Sequence, residues 1–322
     1  MLFRSEDAGA LFFDADADGD LDLYVASGGV EDDAGHLNYR DRLYLNEGKG
    51  ILLDATKDVL PEARLSSGPV AAADFDRDGD LDLFVGGRTI PGQYPLAPAS
   101  RLLVNSGGKF TLATAEQLPG VQQLGMVTAA IWSDANGDGW PDLLLAVEWG
   151  AVRYFENDGG KLVDKTRVAR LADRLGWWNG ITAGDFDADG DIDYLVTNFG
   201  LNSKYEASSE NPEFIFYGDL DGSGQAHIVE AKFEDGKFLP RRGFSCSRNA
   251  MPFLKGKIKT FHNFASAGLA ELYTENKLAS ALRLEANTLE SGVLINDGGA
   301  VFSWRPLPRI VQIAPEIGRA HV

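Results

Sequence analysis

Short apolar runs recur in pairs along the chain, and each pair flanks a cluster of aspartates. Leu11–Phe13 and Leu21–Ala26 flank residues 14–22, which read DADADGDLD. Val70–Ala73 and Leu83–Val85 flank 74–82 (DFDRDGDLD), and Ala129–Ser133 and Leu143–Val147 flank 134–142 (DANGDGWPD). A fourth pair surrounds 185–193 (DFDADGDID). Apolar runs this short, bounded by Gly and Asp, read as strands rather than helices. Each unit is therefore strand, tight acidic loop, strand. Two more strand-like runs follow in each of the first three units: Arg42–Asn46 and Ile51–Leu53, Arg101–Asn105 and Lys109–Leu112, Val152–Asn157 and Lys161–Val163. An Asn, one residue, Gly turn recurs at Asn46, Asn105, Asn157 and Asn296, and such turns suit hairpins that need positive φ.

The loops start at residues 14, 74, 134 and 185, and a worn copy starts at 219 (DLDGSGQAH). The last interval is short, so the outer strands of the fourth unit must be abbreviated or borrowed. The fifth unit is long, because Asn296 follows its loop by 77 residues where Asn46 follows the first by 32. Residues 236–285 therefore read as an insertion. Within it Ala265–Leu284 has a helical pattern, with Leu269, Leu272, Tyr273, Leu278 and Leu282 on one face. Four strands per repeat is the make-up of a propeller blade. The expected fold is an all-β propeller of about five blades, near 8–60, 68–118, 125–168, 179–212 and 213–308, with a small helical insertion.

The loops are built for a cation. Counted from the first Asp, positions 1, 3 and 5 are Asp or Asn, position 6 is Gly, and position 9 is Asp. Carboxylates this close repel unless a cation sits among them, and the Gly lets the backbone turn around it. All the donors are hard oxygens, which selects calcium or magnesium. A flexible, oxygen-rich loop favours calcium. The ligand candidates are Asp14, Asp16, Asp18, Asp20 and Asp22; Asp74, Asp76, Asp78, Asp80 and Asp82; Asp134, Asn136, Asp138, Trp140 and Asp142; and Asp185, Asp187, Asp189, Asp191 and Asp193. Position 7 (Asp20, Asp80, Trp140, Asp191) serves through its carbonyl. About four structural Ca2+ sites are expected. Asp219, Asp221 and Ser223 form a weak site, because Ser223 and His227 replace acidic residues. An EF-hand would need Glu at position 12 and flanking helices, yet Val25, Val85, Leu145 and Val196 stand there inside β-like runs. One such loop would pass as a polar hairpin turn; four with the same spacing do not.

These units resemble the FG-GAP (VCBS-type) repeats of integrin-α-like β-propellers. The sequence is most similar to bacterial VCBS-repeat proteins related to cartilage acidic protein, on the phrases LGWWNGITAGDFDADGDIDYLVTNFGLNSKY from Leu175 and LEANTLESGVLINDG from Leu284. The resemblance implies an extracellular, periplasmic or cell-surface location and a ring usually closed by seven blades. The ring here would be incomplete, and the remaining blades of the same propeller would be partners of this segment. Residues 1–5 (MLFRS) and 316–322 resemble translated sequencing adapters, so the native segment is expected to be 6–315 of an internal gene fragment.

The formal charge is −18, and the four good loops hold as many aspartates. An acidic surface argues against nucleic acid as a partner. No stretch is apolar enough to span a bilayer, and the single Cys246 excludes an internal disulfide framework. Arg241, Arg242, Arg248, Lys255, Lys257 and Lys259 form a basic patch at the insertion: a solvated face, or a contact for another domain or an anionic ligand. Trp149, Trp177 and Trp178 lie near connections between blades, where they wedge between sheets or stack on a ligand. No hydrolase, metalloprotease or phosphate-loop motif occurs. The function expected is a non-catalytic calcium-binding scaffold for a protein or glycan ligand. The alternative is a calcium-dependent polysaccharide lyase on the same scaffold.

Overall fold

The computed structural model describes residues 6–313 apart from Lys49, Pro119, residues 121–123 and Asp235. The adapter-like ends lie outside the described residues. The chain forms two compact units. One runs up to Gly200 and resumes at Glu290; the other is Leu201–Leu289.

The first unit is a series of antiparallel meanders. Strands β1 (Glu6–Phe13), β2 (Asp22–Gly28), β3 (Arg42–Asn46) and β4 (Leu52–Asp54) form the first sheet in chain order. The second repeats it with β5 (Ser67–Ala73), β6 (Asp82–Gly87), β7 (Arg101–Ser106) and β8 (Lys109–Leu112). The third has β9 (Met126–Ser133), β10 (Asp142–Ala151), β11 (Arg153–Asn157) and β12 (Leu162–Asp164), and β13 (Leu175–Trp177) pairs with the far end of β10. Strands β14 (Gly180–Gly184) and β15 (Asp193–Thr197) open a fourth sheet.

The chain then enters the second unit. Here β16 (Glu213–Gly218), β17 (His227–Glu234), β18 (Lys237–Pro240) and β19 (Leu282–Ala286) make a sheet in the order β18-β17-β16-β19. Only after this does the fourth sheet finish, with β20 (Gly292–Asn296) on β15 and β21 (Phe302–Pro306) on β20. This corrects the boundaries expected at 179–212 and 213–308. The outer strands of the fourth unit are borrowed from beyond residues 201–289, and the whole fifth unit is the insertion. The physical reason is a hydrogen bond that the other sheets repeat. The Asn296 N–H donates to Asp193 Oδ1 at 2.8 Å, as Asn46 does to Asp22 and Asn105 to Asp82. His227, at the same place in the fifth loop, has no carboxylate to receive it.

The inner strands of the second and third sheets are apolar on both faces because a sheet covers each face. In β10, Leu143, Leu145 and Val147 pack with Phe75, Phe84 and Leu102 of the second sheet. Leu144 and Ala146, one residue out of phase, pack with Tyr194, Val196 and Leu294 of the fourth. Between the first and second sheets, Tyr24, Ala26 and Leu43 meet Leu83, Val85 and Leu103. That interface also holds a buried ion pair, Arg101 with Asp41 at 2.6 Å. Asp41 accepts further bonds from the Tyr24 hydroxyl (2.8 Å), the Ser27 N–H (2.8 Å) and the Ser67 hydroxyl (3.0 Å).

An asparagine at the end of the third strand links each sheet to the one before it. Asn105 Nδ2 donates to the Ala15 carbonyl, Asn157 Nδ2 to Phe75 and Asn296 Nδ2 to Ala135, each at 2.8 Å. The tryptophans are internal. Trp178 is buried between the third and fourth sheets and donates its indole N–H to the Gly150 carbonyl at 2.9 Å. Trp149 and Trp177 are buried with ring centroids 4.5 Å apart.

In the second unit, Phe214, Phe216 and Val229 of the sheet pack with Phe244, Leu254, Phe264, Leu269 and Leu272. These come from α1 (Phe244–Ala250), α2 (Leu254–Lys257), α3 (Phe261–Ser266) and α4 (Leu269–Tyr273); α5 (Glu275–Ser280) follows. The single helix expected over Ala265–Leu284 is broken. Ala267 and Gly268 are extended, Thr274 sits at φ 75°, and Leu282 starts β19. Of the apolar residues read as one helical face, Leu269, Leu272 and Tyr273 are buried by the single short helix Leu269–Tyr273, Leu278 is partly buried in the next, and Leu282 is exposed. Much of the basic patch is engaged inside this unit. Arg241 Nε donates to Glu213 at 2.7 Å, Arg242 pairs with Glu230 at 3.3 Å, and Arg248 lies over the Phe244 ring.

The two chain ends at the insertion point are adjacent, because Asn198 Nδ2 donates to the Glu290 carbonyl at 3.2 Å and its N–H to the Ser291 hydroxyl at 2.9 Å. In the third sheet the equivalent connection, from β10 to β11, is a tight turn. A chain with Gly200 joined to Glu290 is therefore expected to keep the first unit folded. A cooperative urea transition of the deleted chain checks this, and loss of that transition would refute it.

Candidate metal centres

Every acidic loop is a hairpin in the same register. The residue before it pairs with its ninth residue: Phe13 with Asp22, Ala73 with Asp82, Ser133 with Asp142, Gly184 with Asp193. That ninth aspartate is fully buried. One carboxylate oxygen accepts the N–H of loop position 2, in Ala15, Phe75, Ala135 and Phe186, at 2.7–3.1 Å. The other accepts the N–H of the third-strand asparagine, at 2.7–2.8 Å. Position 9 was read from sequence as a ligand; its first task is to fasten the loop to the sheet. Each oxygen keeps a second lone pair for a cation, except Asp142 Oδ2, which also accepts the Tyr154 hydroxyl at 3.0 Å.

The loop interior is shaped by its own main chain. The Gly at position 6 donates to the carboxylate of position 1 in all four loops, at 2.9–3.2 Å. It has positive φ, as expected. So does position 4, where Ala17 (φ 60°), Arg77 (61°) and Ala188 (63°) are not glycines. A left-handed non-glycine residue costs about 1–2 kcal/mol, so the surrounding contacts impose this turn. Position 5 accepts the N–H of position 7 through Asp18, Asp78, Asp138 and Asp189, at 2.8–2.9 Å. At position 7, the Asp80 side chain turns away to the Gly107 N–H at 2.7 Å, which is compatible with a role for its carbonyl alone.

What remains is a set of oxygens with no donor. Asp14 Oδ1, Asp16 Oδ1, Asp74 Oδ1, Asp76 Oδ1 and Asp134 Oδ1 are buried and accept no hydrogen bond among the described residues. They belong to positions 1 and 3. A buried acceptor without a donor is costly, and two ionised ones side by side more so. Ligand oxygens of Asp14, Asp16 and Asp18 lie within 4.8 Å of one another, as do those of Asp74, Asp76 and Asp82, and of Asp185, Asp187 and Asp193. These residues fit a hard divalent cation. Burial, then neighbouring carboxylates, pushes the Asp16 and Asp76 carboxyls above their ordinary range. Burial pushes Asp82 up to about 7 and Asp142 up to about 6, against the pull of the N–H groups that they accept from. In the third loop Asn136 stands at position 3, and its amide Nδ2 donates to Asp138 at 2.9 Å.

The fourth and fifth loops differ. Asp185 Oδ1 accepts the Ala188 N–H at 2.7 Å, and Asp219 Oδ1 accepts the Gly222 N–H at 2.6 Å. In the fifth loop His227 Nε2 also lies 3.2 Å from Asp221, and Lys277 Nζ donates to the Leu220 carbonyl at 3.1 Å. Hydrogen bonds from Ser223, with His227 adding to them, hold Asp221 down at about 2. Two basic side chains thus stand beside carboxylates that elsewhere face one another.

Residues 12–85 and 134–196 match the family of FG-GAP-like repeats, and the two stretches contain the first four acidic loops. These two stretches are FG-GAP-like repeats. The fifth loop lies outside the matched stretches. No curated protein matches the sequence. Among solved structures, the V. cholerae biofilm matrix protein Bap1 aligns over 90% of this chain and 63% of its own, at 10% identity and a TM-score of 0.26. This chain thus spans less than two thirds of Bap1, and a superposition that loose transfers nothing to it. For the FG-GAP-like repeats themselves, the geometry separates two kinds of aspartate. Asp142→Ala leaves the Ala135 and Asn157 N–H groups and the Tyr154 hydroxyl without their acceptor. It is expected to cost about 3 kcal/mol or more even in chelator. Asp76→Asn is expected to be neutral or slightly stabilising in chelator and destabilising with the metal present. Urea denaturation of both variants under both conditions checks the distinction, and equal behaviour of the two would remove it.

Proposed function

We propose that this chain is a calcium-stabilised, propeller-type binding scaffold that works outside the cytoplasm, without catalysis, on a protein or glycan ligand. The observation that carries the reading is the set of five buried carboxylate oxygens without donors, at position 1 of three loops and position 3 of two of them. Hard oxygens on flexible loops suit calcium, and modules of this kind bind it in the roughly 10⁻⁴ to 10⁻³ M range that extracellular calcium fills. The propeller reading is supported by four-stranded meanders that cover each other face to face in chain order. Its blades would be the four sheets of the first unit, with the inserted sheet as a fifth repeat.

The ligand surface we assign to the end of the sheets opposite the acidic loops. The long connections 29–41 and 88–100 lie there. Connections carry binding function more often than the sheets that position them. The lyase alternative needs a base of lowered pKa. Burial raises the Tyr24, Tyr94, Tyr154, Tyr194 and Tyr273 hydroxyls, which opposes proton abstraction by tyrosine, and of the two arginines that burial lowers, Arg174 lies over the Trp304 ring and Arg241 is paired with Glu213.

The first test is a thermal melt. At a dissociation constant of about 10⁻⁴ M, millimolar calcium adds about 1.4 kcal/mol per site, so several filled sites raise the melting temperature by several degrees over chelator. Identical melts would sink the calcium reading. Depolymerisation of an acidic polysaccharide panel would replace the scaffold with the lyase.

A further inference from the structure

We propose that Asn105, Asn157 and Asn296 are positioning residues for metal binding, each preparing the acidic loop of the sheet before its own. The proposal rests on the metal reading above and adds a dependence between neighbours. Each asparagine uses its whole side chain. Its Nδ2 donates to the position-2 carbonyl of the preceding sheet's loop at 2.8 Å and to a carbonyl of its own sheet, Leu81, Pro141 or Ile192, at 3.0–3.3 Å. Its Oδ1 accepts an N–H from its own turn, that of Gly108, Gly160 or Gly298.

Position 2 of a stapled loop is therefore held at both ends. Its N–H goes to the buried ninth aspartate of its own sheet, and its carbonyl to the amide of the next. The candidate ligands at positions 1 and 3 flank it directly. Ala15, Phe75 and Ala135 are buried, whereas Phe186, the position-2 residue of the fourth loop, is 49% exposed. No asparagine staple reaches the Phe186 carbonyl among the described residues.

The state of the position-1 oxygen follows this division. In the three stapled loops Oδ1 of Asp14, Asp74 and Asp134 is buried without a donor. In the fourth loop Asp185 Oδ1 is taken by the Ala188 N–H. The fifth loop has a lysine ammonium on its position-2 carbonyl, and its Asp219 Oδ1 is likewise taken, by Gly222. A neighbour's amide thus accompanies an oxygen kept for a cation. Without it the loop closes on its own N–H, which a metal would first have to displace. Outer-sphere groups that orient ligands commonly change metal affinity by about 10–100-fold.

The third loop offers a local probe, because Trp140 is part of it. Terbium, a calcium-sized luminescent cation, is titrated into the full chain while tryptophan-sensitised emission is followed. The component lost in Trp140→Phe belongs to this loop. Its absence from the unaltered chain, together with no calcium heat in calorimetry, would overturn the metal reading itself. Given that signal, Asn296→Ala is expected to shift its midpoint about tenfold to weaker binding. Asn46→Ala is expected to leave it in place, since the Asn46 amide reaches only Leu21 of its own sheet. Asn105→Ala is expected to leave it too, since that residue serves the first loop. An unshifted Asn296→Ala titration overturns the proposal, and so does an equal shift in Asn105→Ala, which would mark a global effect. If Asn296→Ala does not fold, Asn296→Ser keeps a neutral hydroxyl oxygen near the Gly298 N–H and is too short to reach the Ala135 carbonyl. The same shift is then expected, and its absence is equally decisive.

Discussion

The buried aspartate that ends each acidic loop is what the rest of the first unit depends on. Asp22, Asp82, Asp142 and Asp193 each give both oxygens to main-chain N–H groups, one in the loop and one in the third strand. A single carboxylate thereby closes the hairpin and fixes the third strand, and in the second to fourth sheets it presents its own sheet's asparagine to the sheet before. Charge-assisted bonds to buried N–H groups are among the stronger hydrogen bonds available to a fold. They do not fully offset burial, as the raised Asp82 and Asp142 show. A cation among the same carboxylates would supply the missing compensation, so the architecture and the metal chemistry rest on one group.

Much of this was legible in the residues. The aspartate spacing announced hairpin loops, and the apolar runs announced the strands that flank them. What stayed hidden was non-local. The partner of β15 lies beyond residues 201–289, and nothing in the local pattern assigns β20 to it rather than to the fifth unit. A clue did exist: Asn296 needs a ninth-position carboxylate, which Asp193 has and His227 lacks. The left-handed turn at position 4 was invisible because Ala17, Arg77 and Ala188 are not residues that advertise it. The reach of Asn105, Asn157 and Asn296 across to the preceding sheet was hidden for a similar reason. Their turn chemistry accounted for them already, so no second role was sought. The helical reading of Ala265–Leu284 failed because the buried spacing belongs to one short helix, Leu269–Tyr273, and the chain breaks on either side of it.

The two units solve the same problem with different means. In the first, sheets bury one another, and the polar cost of bringing acidic loops together is met by main-chain donors. In the second, helices cover a sheet, and the one acidic loop has His227 and Lys277 beside it. A repeat whose carboxylates are answered by its own basic groups has little left to offer a cation. A repeat answered only by backbone has a great deal.

Repeats this alike carry a hazard of mistaken identity during folding. The first two units have near-identical loops and strands, so a collapsing chain can lay one sheet against the wrong face of another at little loss of apolar contact. The pair of Asp41 and Arg101 changes that balance. Any arrangement that buries Asp41 without Arg101, or Arg101 without Asp41, leaves an unanswered charge in the interior, at a cost of about 3–5 kcal/mol. Correct stacking brings the two charges together. The pair therefore acts as an address between the first and second sheets, contributing little net stability to the right assembly and a large penalty to the wrong ones.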